Sequence, residues 1–206
     1  VSSKRIAAMD EHELNELMWE LLRAQAYRSG ADISAVRVNT EVKAGDEGCD
    51  GWSPEPAKAD RWLGETPTCW QFKSGQAGIP SKMPGEVLKR IPRETLTNGG
   101  RFVVIASGSV NGQSGENDRR QELVKEAMAH CIPPDQIVVL GSEALANWCN
   151  EHPAIAARWA LGFDGLSVIG QWETHPLHSA PWQANETVRS KLTEFQRGLD
   201  FANGPL

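Results

Sequence analysis

Residues 102–106 read FVVIA, and this β-branched run, which follows a Gly-rich turn, predicts a buried central strand. A helical stretch, 84–97, precedes it. A second helix, 117–131, follows and leads to another buried strand, QIVVL, at 136–140. Strands that alternate with helices in this way indicate an α/β domain.

Upstream of these elements the sequence predicts a helix, a β-hairpin and one more strand. The helix begins near Asp10, carries apolar residues at helical spacing and ends before Gly30. The hairpin joins an alternating strand, 36–42, to a short strand around 49–52. Three further predicted elements are a strand at 68–72 and two short helices at 143–150 and 154–161. The predicted order, αββ(loop)βαβαβα, gives an α/β fold with a mixed central sheet flanked by helices.

Length and charge limit the possible functions. A chain of 206 residues is long enough for one sizeable core. It carries 27 acidic and 21 basic residues, a net charge of −6. A protein of this charge does not coat nucleic acid through bulk electrostatics, so any nucleic-acid contact must be local.

The cysteines and the first residues indicate the cellular compartment. Cysteines stand at 49, 69, 131 and 149 without a C-x-x-C pair, and the chain opens VSSKRIAAMDEHEL, with no apolar signal segment. We therefore expect a cytoplasmic, reduced protein. No apolar stretch approaches the length needed to cross a bilayer, so we expect no membrane partner.

Two short stretches concentrate the residue types of a metal site: GDEGCDGW at 45–52 and CWQFKSG at 69–75. A hard divalent cation that acts on a phosphate prefers carboxylates, carbonyl oxygens and water as ligands. Asp50 is the natural anchor of such a site. Because side chains alternate along a strand, Gln71 and Lys73 project to one face, and we expect both to face Asp50.

The chemistry follows from these residue types. Gln71 offers a side-chain carbonyl oxygen and Phe72 a backbone carbonyl. The ammonium of Lys73 can orient or help deprotonate an attacking water and offset charge on the transition state. Taken singly, an acidic turn is more often a solvated loop, and a lysine at a strand end usually reaches for water. The order of the two stretches after a suitable helix favours the catalytic interpretation.

Asp50 followed by Gln71-x-Lys73, after a helix and a first strand, resembles the PD-(D/E)xK nuclease superfamily in its Mrr-like restriction endonuclease variant, D…QxK. GDEGCDGW is similar to the D-x-G-x-D turn of that group. The resemblance covers roughly residues 10–110. It implies a restriction-endonuclease-like αβββαβ core, Mg²⁺ or Mn²⁺ as cofactor, and double-stranded DNA hydrolysed at phosphodiester bonds to leave a 5′-phosphate.

The resemblance also implies a metal-binding glutamate in the first helix. Trp19-Glu20 fits that position, so the implied catalytic set is completed by Glu20. A second register of the helix aligns Asn15 with the family glutamate and leaves Glu16 nearest. The implied metal ligands are thus Asp50, Gln71, the Phe72 backbone carbonyl and Glu20.

Basic residues after the QFK strand are the candidate DNA contacts: Lys82, Lys89, Arg90 and Arg93. A second basic cluster comprises Arg119, Arg120 and Lys125, and both clusters can equally be solvated helix faces. Because the net charge opposes DNA binding, we expect self-association or another domain to supply affinity.

Composition changes after Gly165, where Trp, His and Pro crowd a stretch with little periodicity. We predict a nuclease domain at 1–165 and a connector with a helix at 166–206 that leads to a further C-terminal domain. This layout is similar to bacterial antiphage defence proteins, including the Avs family of STAND NTPases, in which such a domain is the effector. Two alternatives stay open: a catalytically inert DNA-binding or assembly module of the same fold, and a restriction or repair nuclease not linked to an NTPase sensor.

Overall fold

The structure is a computed structural model that describes residues 1–39, 47–108 and 112–161. The chain divides into two units, Val1–Gly170 and Gln171–Leu206. The predicted connector lies outside the described residues, as do the end of the first predicted strand and Asp46 in the acidic turn. The domain boundary near residue 165 therefore stays a prediction.

The described residues form an α/β fold with a five-stranded mixed sheet in the order β1-β2-β3-β4-β5. The strands are β1 (Arg37–Val38), β2 (Gly51–Ser53), β3 (Thr68–Lys73), β4 (Arg101–Ala106) and β5 (Ile137–Gly141). The helices are α1 (Ser3–Ala7), α2 (Glu11–Ser29), α3 (Arg90–Thr97), α4 (Gly112–Ala129), α5 (Ser142–Asn150) and α6 (Pro153–Leu161). Neighbouring strands are antiparallel from β1 to β3 and parallel from β3 to β5. The predicted class, a mixed sheet flanked by helices, is confirmed.

Helix α2 forms where the periodicity predicts it because its two ends are strongly defined. Asp10 and Glu13 make a capping box, in which each side chain accepts a hydrogen bond from the other residue's backbone N–H. Gly30 ends the helix in the left-handed conformation, with φ of 72°. Between these caps, the apolar face is fully buried and comprises Leu14, Leu17, Met18, Leu21 and Leu22.

Strand β3 separates two hydrophobic clusters. Its residues Trp70 and Phe72 join the cluster that contains the apolar face of α2. Cys69, on the alternate face, joins the cluster that contains Leu96 of α3 and Leu123 of α4. Because side chains alternate along a strand, Gln71 and Lys73 belong to the α3/α4 face. The sheet therefore separates these two polar side chains from the apolar face of α2.

The helical stretch predicted at 84–97 is wrong in its first half. Pro80–Lys82 and Pro84–Glu86 are single 3-10 turns, and a regular helix begins only at Arg90. Proline fixes its own φ and lacks an N–H, so it is tolerated at the start of a helical turn but interrupts a longer helix. The prolines at 80 and 84 each open a new turn. Helix α1, capped by Ser2, was not predicted.

No helix within residues 1–39, 47–108 and 112–161 combines the length and the apolar character that a bilayer span requires.

A buried polar network joins α2 to α5 and the turn that follows it. The Nε2 of Gln25 donates to Asp60 at 2.7 Å, while its Oε1 accepts from Trp148 Nε1 at 3.1 Å and meets His152 Nε2 at 2.9 Å. Since the amide oxygen only accepts, His152 Nε2 carries the proton. Burial lowers the pKa of His152 below its ordinary value, and the charge of Arg28 acts in the same direction.

We expect the stability of the protein to fall as the pH drops below about 6.5, the ordinary histidine pKa. A lowered pKa in the folded state means that the unfolded chain binds the proton more readily, so acid favours unfolding. Urea unfolding across pH 5–8 should show this slope weakened in His152→Gln. Parallel pH curves for the two proteins would contradict a role for His152.

We expect Leu17→Ala to lower the free energy of unfolding by about 2–5 kcal/mol, because Leu17 is fully buried between α2 and the sheet. Met128→Ala is the matched control: it also shortens an apolar helix residue, but Met128 is 64% exposed. Its effect should stay within about 0.5 kcal/mol. Equal losses in urea titrations would contradict the assigned core.

Candidate active site

The sequence-predicted residues Asp50, Gln71 and Phe72 meet where β2 and β3 separate. Asp50 directly precedes β2, and its backbone carbonyl accepts a hydrogen bond from the backbone N–H of Asn39 at 2.7 Å. Its carboxylate oxygen Oδ2 accepts from the backbone N–H of Phe72 at 2.5 Å and from Gln71 Nε2. A half-buried aspartate is thus held by two donors of the neighbouring strand.

The other end of the Gln71 amide has no such partner. Gln71 is 2% exposed, and its Oε1 makes no hydrogen bond with any residue in the described part of the chain. A buried acceptor without a donor costs about 1–3 kcal/mol, so native proteins rarely leave one without a function. This oxygen can accept a hydrogen bond from a ligand or bind a cation.

The backbone carbonyl of Phe72 points toward β2. Lys73 O accepts from Ser107 N at 2.9 Å, on the β4 side of the strand. Successive carbonyls along a strand point to opposite sides, so the carbonyl of Phe72 points away from β4. The Phe72 N–H also points toward β2, where it donates to Asp50. The three predicted oxygen ligands for a metal, from Asp50, Gln71 and Phe72, therefore lie in one region of the sheet.

Lys73 is the last residue of β3, and its ammonium pairs with Glu86, a residue that was not predicted as part of the site. Its Nζ lies 3.0 Å from Glu86 Oε1, and the two side chains are only 16% and 12% exposed. Glu86 also pairs with Lys89 at 2.8 Å. Its spacing of three residues from Lys89 is a local signal, but the contact with Lys73 arises only when the 3-10 turns fold over the sheet. Glu86 fixes the position of the Lys73 ammonium.

Glu20, the glutamate implied by the family resemblance, contacts α6 rather than the Asp50 region. Its carboxylate accepts from Trp159 Nε1 at 2.9 Å and pairs with Arg158. Helix α2 packs on the Trp70 face of the sheet, opposite to the face of Gln71. The described contacts of Glu20 therefore join α2 to α6.

The alternative residues in the first helix differ in their placement. Asn15 is buried and its Nδ2 donates to the carbonyl of Asn39 at 3.3 Å; Asn39 in turn bonds to Asp50. Glu16 lies on the outer side, 3.3 Å from His12 and 3.6 Å from Arg158. Among the described contacts of these three candidates, the hydrogen bonds of Asn15 are the ones that lead through Asn39 to Asp50.

The acidic turn before Asp50 fastens β2 to α3. Glu47 adopts a left-handed conformation, with φ of 48°, and forms an ion pair with Arg90. The hydrogen bond that Arg90 Nε donates to the Glu47 carboxylate raises the pKa of Arg90. Gly48 has φ of 91°, and a Cβ at this position would lie 2.6 Å from the Cβ of Lys89. A side chain at position 48 would collide with Lys89, so glycine is required there. The turn therefore also has a structural role, because it packs against Lys89.

The predicted DNA contacts lie together on the segment that covers the α3/α4 face. Lys82 and Arg93 are exposed, whereas Lys89 pairs with Glu86 and Arg90 with Glu47. In the alternative cluster, Arg119 is buried and donates to the carbonyls of Gly78 and Gly115, and Arg120 donates to Ile137 O. Burial lowers the pKa of Arg119. The guanidinium groups of these two arginines are therefore engaged with backbone carbonyls of the protein.

Within the described ranges, no three His, Cys, Asp or Glu side chains are grouped so that they could hold a metal ion. A cation near Asp50 would rely on the amide and backbone oxygens described above. No protein-family model, curated protein or solved structure matches this chain.

We expect Glu20→Gln to lower the free energy of unfolding by about 1.5–3 kcal/mol, because it removes a charged acceptor that is 2% exposed. Glu16→Gln is the control, since Glu16 is half exposed and also pairs with Arg158. Calorimetric titration with Mn²⁺ should give similar affinities for both variants. Loss of Mn²⁺ binding in Glu20→Gln alone would make Glu20 a metal ligand.

Proposed function

We propose that this chain is a metal-dependent DNA endonuclease with a restriction-endonuclease-like core of the Mrr-like type. One observation carries the proposal: the Asp50 carboxylate meets the Gln71 amide, whose buried oxygen has no partner among the described residues, beside the strand-end Lys73. A nuclease needs oxygen ligands and a cation next to one phosphate, and this arrangement offers both.

Asp50, Gln71 Oε1 and the Phe72 carbonyl would hold Mg²⁺ or Mn²⁺. When bound, the ion would neutralise charge on the phosphate and make water a better nucleophile. The Gln71 amide at present turns its Nε2 toward Asp50. Rotation of the amide would bring its oxygen next to the carboxylate. A bound cation would stabilise that arrangement, whereas without a cation the partly negative amide oxygen and the carboxylate would repel each other. The ligand set therefore fits a hard divalent ion.

Lys73 supplies the positive charge of the site. Its ammonium can orient the attacking water and offset the charge that develops on the phosphate oxygens. Glu86 keeps this ammonium at the end of β3, and Lys89 shares the same carboxylate.

Double-stranded DNA is the proposed substrate, contacted through the exposed side chains of Lys82 and Arg93 and through Lys89 and Arg90. Because the whole chain carries a charge of −6, we propose that self-association or another domain adds affinity. The role as effector in antiphage defence stays a prediction, as does the NTPase-independent alternative. In a catalytically inert module of the same fold, Asp50 and Lys73 would serve only their hydrogen bonds and ion pair, so metal-dependent cleavage separates the two possibilities.

We expect the protein to nick or linearise supercoiled plasmid in Mg²⁺ or Mn²⁺ and to lose at least roughly 100-fold in rate in Asp50→Asn and in Lys73→Ala. Asp50→Asn keeps an oxygen for the Phe72 N–H, and the rotated Gln71 oxygen can accept from the new amide, so the variant should fold. EDTA should abolish cleavage.

Asp135→Ala and Lys58→Ala are the matched controls. Both residues are exposed, and each substitution removes the same charge as its counterpart in the site but at another position. They should cleave at the wild-type rate. Cleavage by Asp50→Asn and Lys73→Ala at the control rate would contradict this site. Binding of plasmid without any metal-dependent cleavage by the wild type would favour the inert module.

A further inference from the structure

A cleft of about 540 Å³ opens beside Asp50, between the edge of the sheet and α3. This volume lies within the range of about 300–1,000 Å³ that is typical of small-molecule sites. Its lining is mainly apolar and includes Trp52 and Ile91, with Arg37, Cys49 and Asp50 as the side chains able to ionise. The proposed metal ligand is thus on the wall of a site-sized cleft.

Arg37 and Trp52 are direct partners across the β1–β2 pair. Residues directly opposite in an antiparallel pair project to the same face, with Cβ atoms about 4.5–5.5 Å apart. Trp52 is half-buried and packs on the α3/α4 cluster, whereas Arg37 is exposed. Arg37 has no ion pair with any residue of the described ranges. An aromatic ring and an available guanidinium therefore stand side by side.

Trp52 and Asp50 are two residues apart at the start of β2, so their Cα atoms are separated by about 7 Å. Side chains two apart share a face, which places the tryptophan ring and the carboxylate along one wall. This separation is comparable to one nucleotide step of an extended strand. A phosphate at Asp50 and a base at Trp52 can therefore belong to the same nucleotide or to its neighbour.

We propose that this cleft binds one unstacked nucleotide of the DNA strand being cut, next to the scissile phosphate, with its base on Trp52 and its phosphate on Arg37. The inference rests on the proposed function and extends it to the form of the substrate. Aromatic rings bind bases of any sequence through their π-faces, and a guanidinium binds phosphate through paired donors. The site is therefore tolerant of sequence.

A base that lies in this cleft cannot stay in a duplex stack. Taking a base out of a duplex costs free energy, and the cost is least where the strand is already single, frayed or mismatched. The cleft therefore favours DNA with an unpaired nucleotide over an intact duplex. Duplex DNA would be bound only with local opening at the site of cleavage.

The thiol of Cys49 provides a direct test because it lines the cleft, while Cys131 is exposed on the turn after α4 and is not among the residues that line the cleft. Iodoacetamide labelling of the wild-type protein in EDTA would be followed by peptide mass spectrometry, with and without oligothymidylate. We expect the oligonucleotide to slow alkylation of Cys49 severalfold and to leave Cys131 unchanged. The same sequence in a blunt duplex, and free thymidine monophosphate, should protect Cys49 less.

Variants give an independent readout by fluorescence anisotropy of a labelled oligothymidylate in EDTA. Trp52→Leu should weaken binding by roughly tenfold, whereas Trp52→Phe should retain most of it, because stacking needs an aromatic ring. Arg37→Glu should weaken binding more than Lys58→Glu, which changes charge equally at another exposed position. Arg37 is exposed, so its variant tests the cleft even where a tryptophan variant unfolds.

Equal alkylation of Cys49 with and without oligothymidylate, together with equal affinities for Arg37→Glu and Lys58→Glu, would overturn the proposal. Equal protection of Cys49 and Cys131 would also overturn it, since that result indicates general coating. Protection by the free mononucleotide but not by the strand would assign the cleft to a soluble nucleotide instead. None of these measurements needs cleavage, so loss of the proposed nuclease activity would be seen separately.

Discussion

The arrangement of the site depends on one hydrogen bond, from the backbone N–H of Phe72 to the carboxylate of Asp50. The antiparallel ladder between β2 and β3 reaches Gly51 and Trp70 and stops there. Beyond that pair, a side chain replaces the backbone acceptor that β2 no longer provides. This hydrogen bond satisfies the backbone N–H at the strand end and fixes the carboxylate beside Gln71 and Phe72.

The two faces of β3 separate the apolar core around α2 from the polar side chains of the candidate site. Trp70 and Phe72 anchor α2, whose buried leucines supply much of the core. Gln71 and Lys73 belong to the other face, under the chain that runs through the 3-10 turns to α3. A polar row can exist in a buried strand only if its groups find partners, and Asp50 and Glu86 provide them for these two residues. The Gln71 oxygen, which has no partner among the described residues, is the exception, and it is the atom that a ligand can use.

Much of this arrangement could be predicted from local sequence patterns. Caps and periodicity locate α2, the β-branched run locates β4, and the alternation within TCWQFK places Gln71 and Lys73 on one face. Two features depend on contacts between distant segments. Glu20 lies in a well-predicted helix, but its partners Trp159 and Arg158 belong to α6, more than a hundred residues later. Glu86 lies in a stretch whose prolines break the predicted helix into turns, and only those turns bring its carboxylate to Lys73.

The ion pair between the acidic turn and α3 connects Arg90, a proposed DNA contact, to the turn that positions Asp50. Glu47 pairs with Arg90 through its side chain and accepts from the Ile91 N–H at 3.3 Å through its carbonyl. The ion pair is exposed, so water and salt weaken it and an incoming phosphate can exchange for the carboxylate. Such an exchange would release the turn that ends at Asp50. By thermodynamic reciprocity, whatever orders Asp50 would in turn change how strongly Arg90 holds a phosphate.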